Sequence, residues 1–518
     1  MRNVLFIMCD QLRWDHLGCY GHPWLRTPNL DALAARGVRF DRAFVNSGVC
    51  GPSRMSYYTG RYPSSHGATW NRVPLPIGEV TLGEYLRGAG RKLVLAGKTH
   101  VMIDRVGLDR LRIDGESELG TLLARGGFEE IDRYDGHHTP GDESGYPAFL
   151  RRNGYLGDDP WSDYVISGVD AGGKVVSGWH MRNVGLPARV KAAHSETAYM
   201  TDQALGFMKR MGDEPWVLHL SYVKPHWPYM APAPYHAVFT PDQCLPVVRS
   251  EDELVDPHPV VAAYRQSEES VSFQMDACIR TVRPAYQGLI RQLDDELGRL
   301  FEYMERRGLF ANTLVVFTSD HGDFLGDHWL GEKELFHDTV QRVPFIVCDP
   351  DPAADATRGT HCDAFVEGVD LVPTVLDALE LDIPAHRIEG ESILPWLRDP
   401  ANASRKDAVF SELDYSFKAA RRRLGREVDR CYAWSVRTPR WRYVYWLDAP
   451  EQLFDLERDP EEFHDLGRDE STVETRRELR GRLLDWFTRR KRRTSVSHDF
   501  VEAGTDRHKQ AGVFFGQW

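Results

Sequence analysis

Cysteine is scarce in this sequence, with 8 residues among 518. None of them forms a Cys-x-x-Cys pair, and several lie inside apolar runs such as Phe345-Ile346-Val347-Cys348. This scatter argues against a disulfide framework and favours reduced thiols, as in a cytoplasm. The eight positions are Cys9, Cys19, Cys50, Cys244, Cys278, Cys348, Cys362 and Cys431.

Long hydrophobic runs are also missing. No segment approaches the roughly 20 consecutive apolar residues of a transmembrane helix. The apolar run at residues 4–9 follows a charged residue, as in a signal peptide, but it is short and no small-residue cleavage site follows it. We therefore interpret this run as a first buried strand and expect a cytoplasmic protein that does not associate with a membrane.

A surplus of positive charge is missing as well. The chain has 64 Lys and Arg against 77 Asp and Glu, which gives a net charge of -13. This balance argues against a nucleic-acid-binding protein, which would carry a basic surface. It also repels an anionic substrate, so any anion site must be locally positive or built around a metal ion. Internal repeats and low-complexity segments are absent from the sequence.

What is present is an alternation of short apolar runs with helical patterns. This alternation predicts an α/β fold, with a large, mostly parallel sheet covered by helices on both faces. The predicted strands are residues 3–9, 92–96, 216–223, 313–318 and 344–348. Predicted helices include 28–36, which Pro28 opens and Gly37 closes, and the amphipathic segment 284–307. A chain of this length can hold one large domain and a smaller one.

The pattern changes near residue 400. Residues 408–412, 431–436 and 441–446 read as short strands rich in aromatic and β-branched residues, and a helix at about 472–489 follows. We predict an α/β domain at 1–400, an α+β subdomain of antiparallel strands and a helix at 401–493, and a tail at 494–518. Because the tail ends in Phe514, Phe515 and Trp518, we expect it to pack on its own subunit or at a subunit interface.

Polar residues follow several predicted strands directly. They are Asp10, Lys98 with His100, His226, and Asp320 with His321. In sheets of this class, ligands bind beyond the carboxyl ends of the strands. The sequence therefore predicts one active site, built from segments that lie far apart in the chain.

Cys50 stands at the start of a predicted short helix. Pro52 suits the first turn of this helix and Gly60 suits its C-terminal cap, which places the helix at 52–59. Free N–H groups and the positive end of the helix dipole favour an anion at Cys50. A nucleophile that attacks an anionic substrate would be well placed there. A buried structural thiol is the alternative role.

The segment Cys50-Gly51-Pro52-Ser53-Arg54, followed by Thr59-Gly60-Arg61, resembles the signature of the sulfatase family of the alkaline phosphatase superfamily. The resemblance covers nearly the whole chain and is closest to bacterial arylsulfatases and phosphonate monoester hydrolases. Further family segments follow in order: Asp10-Gln11, Gly97-Lys98-Thr99-His100, Pro225-His226, Ser319-Asp320-His321-Gly322 and Gly331-Glu332-Lys333. The resemblance implies an alkaline phosphatase-like fold. It also implies that a formylglycine-generating enzyme oxidises Cys50 to formylglycine, whose hydrate is the catalytic nucleophile.

A divalent metal ion is implied by two acidic segments, since Asp10 ends the first predicted strand and Asp320 ends another. Carboxylates brought together there would repel one another unless a cation held them. Where the common sulfatase pattern has two further oxygen donors, this chain has Gln11 and His321, as in the phosphonate hydrolase branch. An imidazole nitrogen shifts the preference from calcium toward manganese or another borderline metal. The ligands that the resemblance implies are Asp10, Gln11, Asp320, His321 and the formylglycine at position 50.

The remaining site residues are implied to handle the substrate. Arg54 would hold the nucleophile in place. The sulfuryl oxygens would be bound, and the leaving phenolate stabilised, by Lys98, His226 and Lys333. Asn71 matches a substrate-binding asparagine of the same branch.

His100 is implied to act as a base after sulfuryl transfer. By removing a proton from the second hydroxyl of the sulfated hydrate, it would expel sulfate and restore the aldehyde. Phosphonate hydrolases of this branch have Tyr-x-Thr where this chain has Lys98-x-His100. We therefore expect an arylsulfatase that acts on small-molecule sulfate esters through a sulfated covalent intermediate. We also expect the chain to assemble as a homodimer or homotetramer.

Two alternatives remain open. The first is a phosphonate monoester or phosphate diester hydrolase with the same machinery, because sulfate and phosphoryl monoanions share shape and charge. The second is a non-catalytic anion-binding homologue in which Cys50 stays unmodified.

Overall fold

The computed structural model describes residues 3–136, 145–399, 401, 406–513 and 516. The strands in these residues are β1 (Asn3–Asp10), β2 (Val38–Phe44), β3 (Leu93–Gly97), β4 (Phe128–Arg133), β5 (Ser167–Val169), β6 (Val175–Ser177), β7 (Val217–Pro225), β8 (Thr313–Ser319), β9 (Arg342–Cys348), β10 (Thr360–Glu367), β11 (Val409–Asp414), β12 (Tyr432–Arg437), β13 (Trp441–Trp446) and β14 (Gln452–Asp455).

The α-helices of the same residues range from one turn to 31 residues in length. They are α1 (Pro28–Arg36), α2 (Cys50–Thr59), α3 (Pro63–His66), α4 (Leu82–Gly88), α5 (Arg105–Leu111), α6 (Glu118–Ala124), α7 (Gly145–Arg152), α8 (Glu196–Met211), α9 (Pro259–Tyr264), α10 (Glu268–Phe273), α11 (Asp276–Arg306), α12 (Asp338–Gln341), α13 (Leu371–Ala378), α14 (Leu394–Arg398), α15 (Ala419–Arg423), α16 (Val473–Thr488), α17 (His498–Gly504) and α18 (Arg507–Gln510).

Eight strands form the main sheet, in the order β10-β2-β9-β8-β1-β7-β3-β4. The pairs from β8 through β1, β7 and β3 to β4 are all parallel, whereas β9 runs antiparallel to both of its neighbours. This confirms the predicted large, mostly parallel sheet. Strands β2, β4 and β10 are not among the strands predicted from the sequence, because their apolar residues are interrupted by charged ones.

Helices cover both faces of this sheet. Along β1, the side chains of Leu5 and Ile7 enter one apolar cluster, which also holds residues of α1, α8 and α11. The alternating side chains of Val4 and Phe6 enter a second cluster, with residues of α2, α4 and α13. Since successive side chains of a strand point to opposite faces, a continuous apolar run is what a strand buried on both sides requires.

The register of the central strands places the expected site residues together. Cys9 pairs with Ser319, and Gly97 pairs with Ser221, so the carboxyl ends of β1, β8, β3 and β7 lie side by side. The residues that follow these strands therefore share one edge of the sheet, as the sequence predicted.

Helix α11 begins eight residues before the predicted start and contains Pro284 in its interior. A proline inside a helix removes one backbone hydrogen bond, so the sequence favoured a start at that residue. Tertiary contacts hold the earlier turns in place. Arg283 is buried, donates from Nε to the carbonyl oxygen of Leu325 at 3.0 Å and forms an ion pair with Asp327 at 2.5 Å.

The C-terminal part forms an antiparallel sheet in the order β11-β12-β13-β14. Leu479, Leu483 and Trp486 of α16 pack against Val436 and Tyr443 of this sheet. This confirms the predicted α+β unit of antiparallel strands and a helix, whereas the boundaries at 400 and 493 stay predictions.

The proposed packing of the tail falls largely outside the part of the chain that the structure describes. Phe514, Phe515 and Trp518 are not described. Within the described portion of the tail, Phe500 of α17 is 64% exposed. The eight cysteines all lie in described segments, and none of them is joined in a disulfide bond. None of the described helices has both the length and the apolar composition needed to cross a membrane.

Gly97 is the last residue of β3, and its backbone is suited to glycine alone. Its φ is +111°, and an added Cβ atom would lie 1.8 Å from the carbonyl oxygen of Ser221 on β7. We expect Gly97→Ala to lower the free energy of unfolding by about 3 kcal/mol, because the two central strands must separate or the loop must distort. The control Gly90→Ala has a similar positive φ and open space, so its loss should be about 1 kcal/mol. Urea unfolding of both variants measures the difference, and equal losses would contradict the expected clash.

Candidate active site

Four buried side chains converge at the carboxyl edge of the central strands. They belong to Asp10, Cys50, Asp320 and His321, and one potential ligand atom from each lies within 4.8 Å of the others. The Nε2 atom of His321 is 3.1 Å from the Sγ atom of Cys50, 3.8 Å from Oδ1 of Asp10 and 3.6 Å from Oδ1 of Asp320. These distances suit a group of atoms that surrounds a single cation.

The chemistry of this cluster fits a divalent metal ion. Asp10 and Asp320 are both fully buried, and burial together with the charge of Asp10 raises the pKa of the Asp320 carboxyl above its usual value. The Nδ1 atom of His321 lies 2.8 Å from the carbonyl oxygen of Gly322. A proton on Nδ1 therefore leaves the lone pair of Nε2 facing the cluster. Carboxylate oxygens and an imidazole nitrogen are suitable ligands for manganese or a similar ion.

Arg54 connects the two carboxylates and is fully buried. Its Nε donates to Oδ2 of Asp320 at 2.8 Å, and its Nη2 lies 3.2 Å from Oδ2 of Asp10. Its Nη1 donates to the carbonyl oxygen of Lys98 at 2.9 Å and to Oγ of Ser221 at 2.8 Å. The described hydrogen bonds of Arg54 thus position the two carboxylates and the end of β3. The role that the resemblance implied for Arg54, to hold the nucleophile, stays a prediction.

Cys50 begins helix α2, as the sequence predicted, and Gly60 ends that helix in the left-handed conformation. Burial alone would raise the pKa of the Cys50 thiol, but the charges of Lys333 and Lys98 lower it well below its usual value. The position is therefore locally positive, as an anion site in an acidic protein must be.

Three further groups lie around this point. The Nζ atom of Lys98 is 2.5 Å from Oδ2 of Asp10, and Nε2 of His226 is 4.0 Å from Oδ1 of the same carboxylate. The Nζ atom of Lys333 lies 3.3 Å from Nε2 of His226. His226 has its Nδ1 only 2.6 Å from the carbonyl oxygen of Trp227, which fixes the ring with Nε2 toward the site. The structure brings Lys98, His226 and Lys333 together with the carboxylates.

Gln11 is oriented by residues that the sequence analysis missed. Its Nε2 donates to Oδ2 of Asp323 at 2.5 Å and to the hydroxyl of Tyr229 at 3.3 Å. Its Oε1 accepts a hydrogen bond from Nζ of Lys333 at 3.1 Å. Burial raises the pKa of the Asp323 carboxyl to about 6. Asp323 stands three residues after Asp320, but the sequence did not show that it faces Gln11.

His100 is held by a second residue that the sequence analysis missed. Oδ1 of Asp135 accepts from the backbone N–H groups of Thr99 at 2.9 Å and His100 at 3.1 Å. His100 has a φ of +60°, and its interaction with Cys50 contributes to lowering the pKa of that thiol. Asp135 follows the carboxyl end of β4. Had the sequence predicted β4 as a strand, Asp135 would have been a candidate site residue for the same reason as Asp10 and Asp320.

Asp135 itself stays ionised. Burial would raise its pKa, but Arg133 and His100 lower it to about 2. Nη2 of Arg133 also donates to the carbonyl oxygen of Val101 at 2.7 Å, so the two side chains hold both ends of the segment that carries His100. The Nδ1 atom of His100 is buried and has no hydrogen-bond partner among the described residues.

Asn71 lies beside the nucleophile position. Its Oδ1 accepts the N–H of Gly51 at 2.7 Å, which caps the first turn of α2 next to Cys50. This contact places Asn71 at the site, and its expected contact with substrate stays a prediction.

Comparisons with known proteins agree with this geometry. The Sulfatase family model matches residues 2–381, and the model described as N-sulphoglucosamine sulphohydrolase, C-terminal, matches residues 326–489. The multifunctional alkaline phosphatase superfamily protein PehA of Trinickia caryophylli is 30% identical over 512 residues, which is 94% of this chain and 95% of that protein. An arylsulfatase of Clostridium perfringens is 26% identical over 485 residues, with 90% of each chain covered.

Solved structures give the same result. The phosphonate monoester hydrolase SpPMH from Silicibacter pomeroyi superposes with a TM-score of 0.84 at 28% identity, covering 96% of this chain and 98% of that chain. Fold and site together define a hydrolase of the alkaline phosphatase superfamily. The chain belongs to the sulfatase family, whose members hydrolyse sulfate esters and generally use a metal ion and formylglycine.

Metal binding tests the cluster directly. We expect metal-free protein to bind one equivalent of Mn²⁺ per chain, and Asp320→Asn to weaken that binding by about a hundredfold, because it removes a charged ligand. Asp41→Asn is the matched control, since Asp41 pairs with Arg39 on β2, outside the cluster. Isothermal titration calorimetry of the three proteins gives the affinities. Unchanged Mn²⁺ binding by Asp320→Asn would contradict the assignment.

Proposed function

We propose that this chain hydrolyses aryl sulfate monoesters, with a formylglycine hydrate derived from Cys50 as the nucleophile. Sulfate would leave from a sulfated form of that residue, which is the covalent intermediate. The single observation that carries the proposal is the presence of Lys98 and His100 beside Cys50. These two residues resemble the sulfatase pattern, whereas phosphonate hydrolases of the same branch have Tyr-x-Thr at the same positions.

The first step requires an activated nucleophile and a stabilised leaving group. A divalent ion, manganese or calcium, held by Asp10, Gln11, Asp320, His321 and residue 50 would lower the pKa of the nucleophilic hydroxyl and polarise the sulfuryl group. The other residues act on the substrate directly. Lys98, His226 and Lys333 bind sulfuryl oxygens and stabilise negative charge on the leaving phenolate, and Asn71 binds substrate beside them.

The second step requires a base. The side chain of His100 interacts with residue 50, so its imidazole can accept a proton from the second hydroxyl as sulfate leaves. Asp135 acts through His100, because it fixes the backbone of Thr99 and His100. Asp135 is therefore a positioning residue of this step.

Phosphonate monoester or phosphate diester hydrolysis is the second candidate. The similarity to a phosphonate monoester hydrolase over nearly the whole chain favours it, and so do Gln11 and His321 in the proposed metal site. Sulfate and phosphoryl monoanions share tetrahedral shape and charge, so one site can accept both. Two partners complete the proposal: a formylglycine-generating enzyme, and further copies of this chain in a homodimer or homotetramer.

Substrate preference separates the two candidates. We expect higher kcat/KM for an aryl sulfate than for an aryl phosphonate monoester, measured with calcium and with manganese. The double variant Lys98→Tyr, His100→Thr carries the residues of the phosphonate branch, and it should lower the sulfate-to-phosphonate ratio by about a hundredfold, since a cation and a base are lost. A wild-type preference for the phosphonate would favour the second candidate.

His100→Ala should separate the two steps. We expect the first transfer to proceed and the breakdown of the intermediate to slow by about a hundredfold to ten-thousandfold, because a positioned general base is lost. Pre-steady-state assays should show a burst of phenol followed by slow turnover. Mass spectrometry of the tryptic peptide of residues 43–54 should show a sulfated form that is absent from the wild type.

Two controls accompany this measurement. Lys333→Ala should slow the first step and give no burst, since Lys333 is proposed to stabilise sulfuryl or leaving-group charge. The unreacted peptide should be lighter than its thiol form and reactive toward hydrazides, as formylglycine requires. Fully active protein with only an alkylatable thiol at Cys50 would overturn the proposed mechanism.

A further inference from the structure

A cavity of about 780 Å³ is lined by Trp227 and Glu332, the chain neighbours of His226 and Lys333. Its lining combines the indole rings of Trp179 and Trp227 with the thioether side chains of Met181 and Met275. Cavities of about 300–1,000 Å³ accommodate ligands much larger than one phenyl ring. The size and the lining of this cavity therefore suit a large, flat, apolar group.

The wall of the cavity is continuous with the groups proposed to bind the sulfuryl oxygens. The ring of Trp227 stacks on the ring of His226, with centroids 4.6 Å apart and an interplanar angle of 28°. Nε1 of Trp227 donates to Oε1 of Glu332 at 2.6 Å, and Glu332 directly precedes Lys333. A leaving group attached to a sulfuryl group at His226 and Lys333 is thus close to the cavity.

Trp179 and Trp227 form an aromatic corner. Their ring centroids are 5.1 Å apart at an angle of 64°, and the buried ring of Trp161 supports Trp179 from behind at 6.2 Å. Trp179 is nevertheless 47% exposed. A corner of this kind offers both a face and an edge to an aromatic ligand, which are the preferred geometries of aromatic pairs.

Negative charge predominates at the cavity lining. Glu268, Glu269 and Glu332 line it, against the two cations Arg182 and Lys418. Lys418 pairs with Glu269 at 3.3 Å and Glu334 at 2.9 Å, and Glu332 lies 3.9 Å from both Lys418 and Lys333. Glu268 is the lining carboxylate without an ion pair among the described residues, and it would repel an anionic leaving group.

We propose that this cavity is the leaving-group site and that it selects large aromatic leaving groups, of two or more fused rings, that carry no negative charge. The proposal rests on the proposed sulfate-ester hydrolysis and narrows its substrate class. Trp179 contributes ring contact, and Glu268 contributes discrimination against anions. Trp227 and Glu332 then lie along the border at which the sulfuryl site meets the leaving-group site.

Binding of the free leaving groups tests the cavity without requiring catalysis. Isothermal titration calorimetry of the full chain should show that 2-naphthol binds at least about tenfold more tightly than phenol and than the carboxylate 6-hydroxy-2-naphthoate. Trp179→Ala should weaken 2-naphthol binding by about tenfold and leave phenol binding nearly unchanged. Trp24→Ala is the matched control, because Trp24 is 42% exposed and lies outside the cavity lining.

The charge effect has its own pair of variants. Glu268→Gln should tighten binding of 6-hydroxy-2-naphthoate severalfold and leave 2-naphthol binding unchanged, because only the anion feels the removed charge. Glu251→Gln, also in the first turn of a short helix, serves as the control. Equal affinity of the wild type for the three ligands, or no effect of Trp179→Ala on 2-naphthol, would overturn the proposal.

Kinetics then distinguish failure of the cavity proposal from failure of the proposed function. We expect kcat/KM for 2-naphthyl sulfate to exceed that for phenyl sulfate, with Trp179→Ala removing most of the difference. Binding of 2-naphthol without hydrolysis of either ester would support the cavity and overturn the proposed function. Hydrolysis of both esters at equal kcat/KM, with no binding of 2-naphthol, would overturn the cavity proposal alone.

Discussion

The buried ion pairs of Arg54 with Asp10 and Asp320 are the interaction on which the rest of the site depends. One guanidinium group joins helix α2 to residues at the carboxyl ends of β1, β3, β7 and β8. Burying these charges is unfavourable unless each is paired, and removal of Arg54 would take from Asp320 the guanidinium that lies 2.8 Å away. Because the same carboxylates are the proposed metal ligands, the arginine that completes the fold of the sheet edge also fixes where a cation would bind.

Much of this arrangement could be predicted from the chain itself. Asp10, Lys98, His226 and Asp320 each follow an apolar run, and parallel strands bring their carboxyl ends to one edge. Cys50 could be placed because Pro52 and Gly60 mark the ends of its helix. These predictions needed only local signals and one general rule of sheet topology.

The residues that orient the site could not be found in the same way. Asp135 follows β4, whose alternating charged residues hide the strand, and its partners are backbone N–H groups of a distant loop. Asp323 faces Gln11 only because β1 and β8 are neighbours, which the sequence does not specify. The early start of α11 was missed for a related reason, since contacts of Arg283 outweigh the local effect of Pro284. In each case a long-range contact decides the outcome.

The burial of helix α2 has a consequence for the biosynthesis of the protein. All ten residues of this helix are buried, and Cys50 is 1% exposed and lies among the carboxylates of Asp10 and Asp320. An enzyme that oxidises Cys50 has to reach the thiol, and the folded chain does not expose it. The proposed oxidation of Cys50 therefore belongs to the interval between synthesis and folding. A chain that folds first is committed to the thiol form until it unfolds again.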